Sequence, residues 1–336
     1  MEGDNAPRNG LLAAGTVLKE RYRIVELVGE GGGGAVYKAD DTRLVGRITA
    51  VKEIRPDPAQ GEALRRATQD QFRREASTLA RLDHPALPKV SDYFSTGPFD
   101  YLVMDFVDGQ DLRQVVDEAQ RSGDTLGEAQ VLDWMRQLLD AVAYLHAQSP
   151  PVLHRDIKPA NVKLAGQRVK LVDFGLVKPL DPADPRTLTV ARGLGSLPYT
   201  PLEQYAGETG HTDVRADIYA LGATLYHLLT GRPPVTAQER FLLPNALERP
   251  RSLRRGLSPR TEGAILAAMA LHPQRRPPDV AALRDLLFGH APLEADPELM
   301  TNRAAWHQAA WDNLGLFALA GLLLLLAVLA TWQAVP

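Results

Sequence analysis

A chain of 336 residues is long enough to bury a sizeable core, either as two ordinary domains or as one large two-lobed one. Its 38 basic and 41 acidic residues leave a net charge of -3, which excludes the overall basic field that draws proteins to nucleic acid. The absence of cysteine excludes disulfides, thiolate metal sites and a cysteine nucleophile, and it fits a reducing compartment.

Residues 1–20 read as a disordered arm, and no secretory signal is expected because MEGDNAPRNG is polar where an apolar stretch would begin. Over residues 21–104 the short apolar runs YRIVELV, AVYKAD, ITAVKEI and YLVMDF, broken by turn residues, predict β-strands. One helix interrupts them over residues 62–82 and stops before the His84-Pro85 pair. From about Asp111 the pattern changes to helices. TLGEAQVLDWMRQLLDAVAYLHAQ begins with Thr125 and Glu128 at capping-box spacing and carries Val131, Met135, Leu138, Val142 and Leu145 on one stripe. DIYALGATLYHLLTG is apolar nearly all round, as a buried central helix would be, and stops at Gly231 and Pro233-Pro234. Between these helices, residues 147–215 hold short strands and long loops, where chemistry should be sought.

After a hydrophilic segment at 289–313, residues 314–332 (LGLFALAGLLLLLAVLATW) carry no charge over about the length a helix needs to cross ~30 Å of hydrocarbon. Trp306, Trp311 and Trp332 sit where an interfacial aromatic belt would place them. A single membrane span is expected there, with too little after it for an outer domain. Arg303 before the span, and no basic residue after it, favours a cytoplasmic N-terminal part at the inner plasma membrane.

Several motifs carry chemistry. Gly29, Gly31 and Gly34, followed by Val36, fall at GxGxxGxV spacing, and glycines let main-chain N–H groups approach phosphate oxygens. A dinucleotide fold would need a helix directly after the third glycine, and a P-loop would need Lys-Ser or Lys-Thr; AVYKAD supplies neither. Lys52 lies in the strand ITAVKEI; a lone strand lysine is ordinarily a solvated edge residue. HRDIKPANVKL at 154–164 and VDFG at 172–175 then add Asp156, Lys158, Asn161 and Asp173 in an order that chance does not readily produce.

With these motifs the chain resembles the eukaryotic-like Ser/Thr protein kinases, in particular the membrane-anchored bacterial type, over residues 20–288. The resemblance implies an α+β, bilobal fold: a β-rich N-lobe with one helix (21–104) and a mainly helical C-lobe (105–288), followed by the C-terminal transmembrane helix. It implies Mg²⁺- (or Mn²⁺-) dependent transfer of the γ-phosphoryl group of ATP to Ser/Thr hydroxyls of protein substrates. Main-chain groups of Val28, Gly29, Glu30, Gly31, Gly32, Gly33 and Gly34 would cover the phosphates, with Lys52 on the α- and β-phosphates and Glu75 as its partner. Asn161 and Asp173 would carry the metal, Asp156 would take the acceptor proton, and Lys158 would neutralise the transferring group. Val36, Ala50 and Met104 match the adenine slot, Asp105 to Val107 the hinge, and Asp111 the ribose contact. GSLPYTPLEQY at 195–205 resembles the acceptor-binding segment, with Ser196 in a threonine position.

His154, Phe174 and Asp217 look structural, and Glu203 should pair with Arg276. The sequence departs from the family where Pro201-Leu202-Glu203 replaces Ala-Pro-Glu, where Lys163 stands for a leucine, and where Gly32 and Gly33 replace larger residues. Arg155 beside Asp156 implies control by phosphorylation at Thr187 or Thr189. A pseudokinase scaffold and a small-molecule phosphotransferase are the rival readings. Neither nucleic-acid binding nor a particular oligomeric state is implied, and dimerisation is left open.

Overall fold

A computed structural model describes residues 11–31, 34–56, 61–173, 194–205, 213–243 and 245–289. The predicted membrane span, the 289–313 segment beyond its first residue, the tryptophans near the span, Arg303, Gly32, Gly33, Phe174, Gly175, Thr187 and Thr189 lie outside them. Among the described residues no helix is long and apolar enough to cross a membrane.

The four predicted strands form. They are β2 (Tyr22–Gly31), β3 (Gly34–Asp41), β4 (Ile48–Ile54) and β6 (Phe99–Asp105), joined by β1 (Val17–Leu18) and β5 (Val90–Thr96) in an antiparallel sheet of order β1-β2-β3-β4-β6-β5. The helix α1 (Glu62–Leu79) packs Phe72, Ala76 and Leu79 against one face of this sheet. The other face carries a separate apolar cluster that includes Tyr22, Ile24, Tyr37, Val51 and Val103.

The expected disordered arm is corrected for residues 11–20. Leu11 and Leu12 pack on this outer cluster, the Leu12 N–H donates to the Tyr37 hydroxyl at 3.1 Å, and β1 pairs with β2. Burying two leucines on an apolar sheet face offsets the entropy of ordering a short segment, a gain that local polarity does not reveal.

The second lobe is helical: α2 (Leu112–Arg121), α3 (Glu128–His146), the hairpin β7 (Val162–Ala165) and β8 (Arg168–Leu171), then α4 (Arg215–Thr230), α5 (Ala237–Leu242), α6 (Pro250–Leu253), α7 (Pro259–Ala268) and α8 (Val280–Phe288). The α4 helix is buried from Ala216 to Leu229 and ends at Gly231 with φ 75°, as its all-round apolarity and terminal glycine predict. Its Gly222 lets α7 come close, since a Cβ there would fall 2.7 Å from that of Ala268.

The expected Thr125–Glu128 capping box does not form. Gly127 is the N-cap of α3, and the Glu128 carboxylate instead accepts from the main-chain N–H (3.1 Å) and hydroxyl (2.8 Å) of Ser258 and the hydroxyl of Thr261 (2.6 Å), at the start of α7. A carboxylate offered three donors by a helix 130 residues away leaves its own helix uncapped. Capping boxes form instead at Asp111/Gln114 and Thr236/Glu239.

Candidate active site

Strand register gathers the predicted nucleotide residues. Directly opposed residues of an antiparallel pair project to the same side, and alternate residues along a strand share a face. Val36 opposes Lys52, which opposes Leu102, and Ala50 opposes Met104, so all five lie on the inner face, toward the second lobe. Ala50 and Met104 are buried there in the main core. Gly29 opposes Val36 and Gly31 opposes Gly34, on the same inner side, whereas Glu30 opposes Ala35 on the outer side. Val28 falls in the register shift between Leu27 and Gly29 and stays exposed.

The three motif glycines are not equivalent. A Cβ added at Gly29 or Gly31 meets nothing within 4 Å, but at Gly34, with φ 146°, it would lie 1.8 Å from the Glu53 carbonyl oxygen. Gly34 is therefore required by the fold itself. The open space beside Gly29 and Gly31 is available to a ligand.

Below the sheet, Lys52 Nζ forms an ion pair with Asp173 at 3.2 Å. Glu75 lies on α1 and accepts from Gln71 Nε2 at 2.9 Å. In the segment joining the lobes, Asp105 accepts from Arg47 and from the Lys89 N–H, both at 3.3 Å, and Val107 is buried. The Asp111 carboxylate accepts from the Gln114 N–H at 2.9 Å as the N-cap of α2. Lys163 reaches back to the Gly109 carbonyl at 3.1 Å, and the Leu164 N–H donates to the Gln110 carbonyl at 2.8 Å. These bonds stitch the joining segment to β7.

Asp156 stands at the centre of the second cluster. Its Oδ2 accepts from Lys158 Nζ at 3.0 Å and from Asn161 Nδ2 at 2.9 Å, and Asn161 also donates to the Asp156 carbonyl at 2.8 Å. Lys158 Nζ donates in addition to Ser196 Oγ at 2.6 Å, which ties the 194–205 segment to the loop that carries Asp156. The Val172 N–H donates to the Asn161 carbonyl at 2.9 Å, which holds Asp173 beside Asn161.

This arrangement rests on a buried scaffold. Asp217, at the start of α4 and fully buried, accepts from the His154 N–H at 2.9 Å, the Arg155 N–H at 2.8 Å and His146 Nε2 at 2.9 Å. Burial pushes its carboxyl up, but the hydrogen bonds from His146 and from the His154 N–H outweigh it and hold it below the usual range. Burial drives the His154 imidazole down, so it stays neutral, and its Nε2 contacts the Val172 carbonyl at 3.2 Å. Arg155 and Asp173 both adopt left-handed backbone, φ 64° and 60°. Such strain in non-glycine residues persists only where surrounding contacts impose it.

The segment GSLPYTPLEQY is anchored from below. Glu203 pairs with the buried Arg276 through both carboxylate oxygens, at 2.5 and 3.0 Å. Tyr199, unassigned by sequence reasoning, meets His227 Nδ1 of α4 at 2.6 Å. Burial, with Arg113 nearby, lowers the His227 imidazole to about 4, so it is neutral, and one hydrogen bond joins its Nδ1 to the Tyr199 hydroxyl. His146 was likewise missed. Its 71-residue separation from Asp217 leaves no local signal.

Asn161 and Asp173 suit a hard cation, since an amide and a carboxylate oxygen are the donors Mg²⁺ accepts when phosphates and water complete its octahedron. Among the described residues no cluster of three His, Cys, Asp or Glu side chains competes as a metal site.

The described fold is bilobal and places a lysine and two carboxylates in the cleft between its lobes. The chain matches the protein kinase domain family over residues 22–253 and belongs to it. It is 33% identical to serine/threonine-protein kinase PknB of Mycobacterium tuberculosis over 312 residues, 88% of this chain and 48% of that protein. A probable serine/threonine-protein kinase of Streptomyces coelicolor is 39% identical over 222 residues, 65% of this chain and 31% of that protein. The chain thus spans between about a third and a half of the length of these curated relatives. Among solved structures it resembles the kinase domain of PknI from Mycobacterium tuberculosis, with a TM-score of 0.63 and 29% identity over 82% of this chain and 98% of that one.

Proposed function

We propose that the protein transfers the γ-phosphoryl group of ATP to serine or threonine hydroxyls of other proteins. The observation that carries this reading is the chain of contacts from Asn161 through Asp156 and Lys158 to Ser196. It joins a candidate proton acceptor to the segment where an acceptor chain would lie. Asp156 orients the incoming hydroxyl and takes its proton, and Lys158, between Asp156 and Ser196, offsets negative charge on the transferring group. Lys52 and the main-chain N–H groups of residues 29–34 hold the phosphates. Asn161 and Asp173 would hold Mg²⁺, which supplies charge neutralisation across the phosphates. Val36, Ala50 and Met104 form the apolar wall for adenine.

Lys52, Asp156 and Asp173 are all present, which favours an enzyme over a nucleotide-binding scaffold. Incorporation of labelled phosphate from ATP into a generic protein substrate, lost in Asp156→Ala, is the expected result; no incorporation by the wild-type chain would leave the scaffold as the better reading.

Control by phosphorylation extends this reading. Arg155 Nε is buried with no hydrogen-bond partner among the described residues, which suits a later anionic partner. Phosphate on Thr187 or Thr189 would provide it, and phosphopeptide mapping of the active protein should find one of them modified. The apolar run 314–332 supports attachment at the inner plasma membrane; partition of the full chain into the membrane fraction, and its release on deletion of 314–332, tests this.

A further inference from the structure

The outer face of the sheet holds a polar network that the transfer reaction does not use. Register places Glu30, Ala35, Glu53 and Tyr101 in one row across β2, β3, β4 and β6. Glu53 is buried, with a side chain 1% exposed. One of its oxygens accepts from Arg55 Nε at 2.7 Å and the other from the Tyr101 hydroxyl at 3.3 Å. Arg55, two residues on and on the same face, bridges from Glu53 to the far end of the row, where its Nη1 donates to Glu30 Oε1 at 3.2 Å. Tyr37, which receives the Leu12 N–H, bonds to Arg55 as well.

We infer that Arg55 is a positioning residue, a clasp that fixes the height of the Gly29–Gly34 hairpin above the cleft from the side opposite the nucleotide. Strand alternation makes this possible: Gly29 and Gly31 present bare backbone to the inner face, so Glu30 between them is the only side chain at the tip that can be held from outside. Four consecutive glycines have the largest backbone entropy to lose on ordering, and a hairpin tied at Glu30 has less to lose when phosphates bind. Glu53 gives the clasp its fixed end. An Arg55 engaged by a buried carboxylate and by Tyr37 has little freedom left, so Glu30 follows β4 rather than the reverse.

The inference rests on the reading that this hairpin covers the phosphates of ATP. Removing Arg55 alone would leave the Glu53 carboxylate buried without its cation, so the test replaces the two together. A double-mutant cycle is formed from Glu30→Gln and the pair Glu53→Gln/Arg55→Gln, with the affinities for Mg²⁺-ATP and for adenosine measured by calorimetry. An exposed ion pair of this kind is worth a factor of about two to five. Glu30→Gln is therefore expected to weaken ATP about two- to fivefold in the wild-type background and by nothing in the Glu53→Gln/Arg55→Gln background, with adenosine affinity unchanged throughout. Adenosine lacks phosphates, so general damage to the lobe would weaken both ligands alike. Additive effects in the cycle, or equal losses for ATP and adenosine, would overturn the clasp. A wild-type chain that binds adenosine and ATP with the same affinity would instead sink the phosphate-covering reading, and the clasp with it.

Discussion

The loop around Asp156 and the glycine hairpin face the same cleft but are held in opposite ways. The loop is held from within: Asp217 and His154 are fully buried, two non-glycine residues are kept in left-handed backbone, and the bonds from Asp217 to the loop span more than sixty residues of sequence. The hairpin is held by strand register and by an ion pair open to solvent, with empty space on the side where phosphates would lie. Groups that carry out proton transfer must be fixed before the substrate arrives, whereas a cover over the substrate must let it in. Errors in the first should therefore remove catalysis or the fold, and errors in the second should change affinity.

The largest effect expected from this contrast is on chemistry. Asp156→Asn should lower the phosphoryl-transfer rate by about a hundredfold or more while ATP affinity, measured by calorimetry, moves by less than about threefold. A variant that loses both together would blur the distinction between the two regions.

The scaffold comes next. Asp217→Ala strips three donors of a buried acceptor and should cost about 3–5 kcal/mol of stability, read as a lower denaturant midpoint. A loss below about 1 kcal/mol would mean that the loop does not depend on its buried support.

Acid tests the same lobe through His227. Its imidazole is lowered to about 4 in the folded protein from an ordinary value near 6.5, so between these values the unfolded chain binds the extra proton. Stability should therefore be unaffected above pH ~6.5 and fall as the pH drops toward ~4, by up to about 3 kcal/mol from this residue. Thermal melts of the wild type and of His227→Gln across this range isolate that component, which should be missing from the variant.

The smallest expected effects separate the glycines. Gly34→Ala places a methyl group on the Glu53 carbonyl and should destabilise the first lobe by about 1–3 kcal/mol. Gly29→Val and Gly31→Val place a Cβ with nothing within 4 Å of it, and should instead leave the melting temperature within a degree or two while weakening ATP several-fold. Equal destabilisation by all three would show that the open space is not a ligand site.

Much of this was legible in the sequence because the signals are local. Short apolar runs broken by turn residues announced the strands that carry Val36, Lys52 and Met104. The HRDIKPAN and VDFG motifs gave Asp156, Lys158, Asn161 and Asp173, and Glu203 was matched to Arg276 through the family resemblance. What failed was also local reasoning. Thr125 and Glu128 have capping-box spacing, but Glu128 is captured by Ser258 and Thr261, and residues 11–20 looked featureless until the outer sheet face gave Leu11 and Leu12 somewhere to go.

By itself the sequence determined the kinds of group present and their order along the chain, because motif spacing and strand periodicity are properties of neighbours. Only the tertiary structure decided which glycine the fold needs and which stand over open space, that Glu30 faces away from the cleft toward Arg55, and that His146 and His227 support residues 71 and 28 positions away. Register and burial are set by surfaces that meet after distant segments fold together, and no local pattern encodes which surfaces those will be.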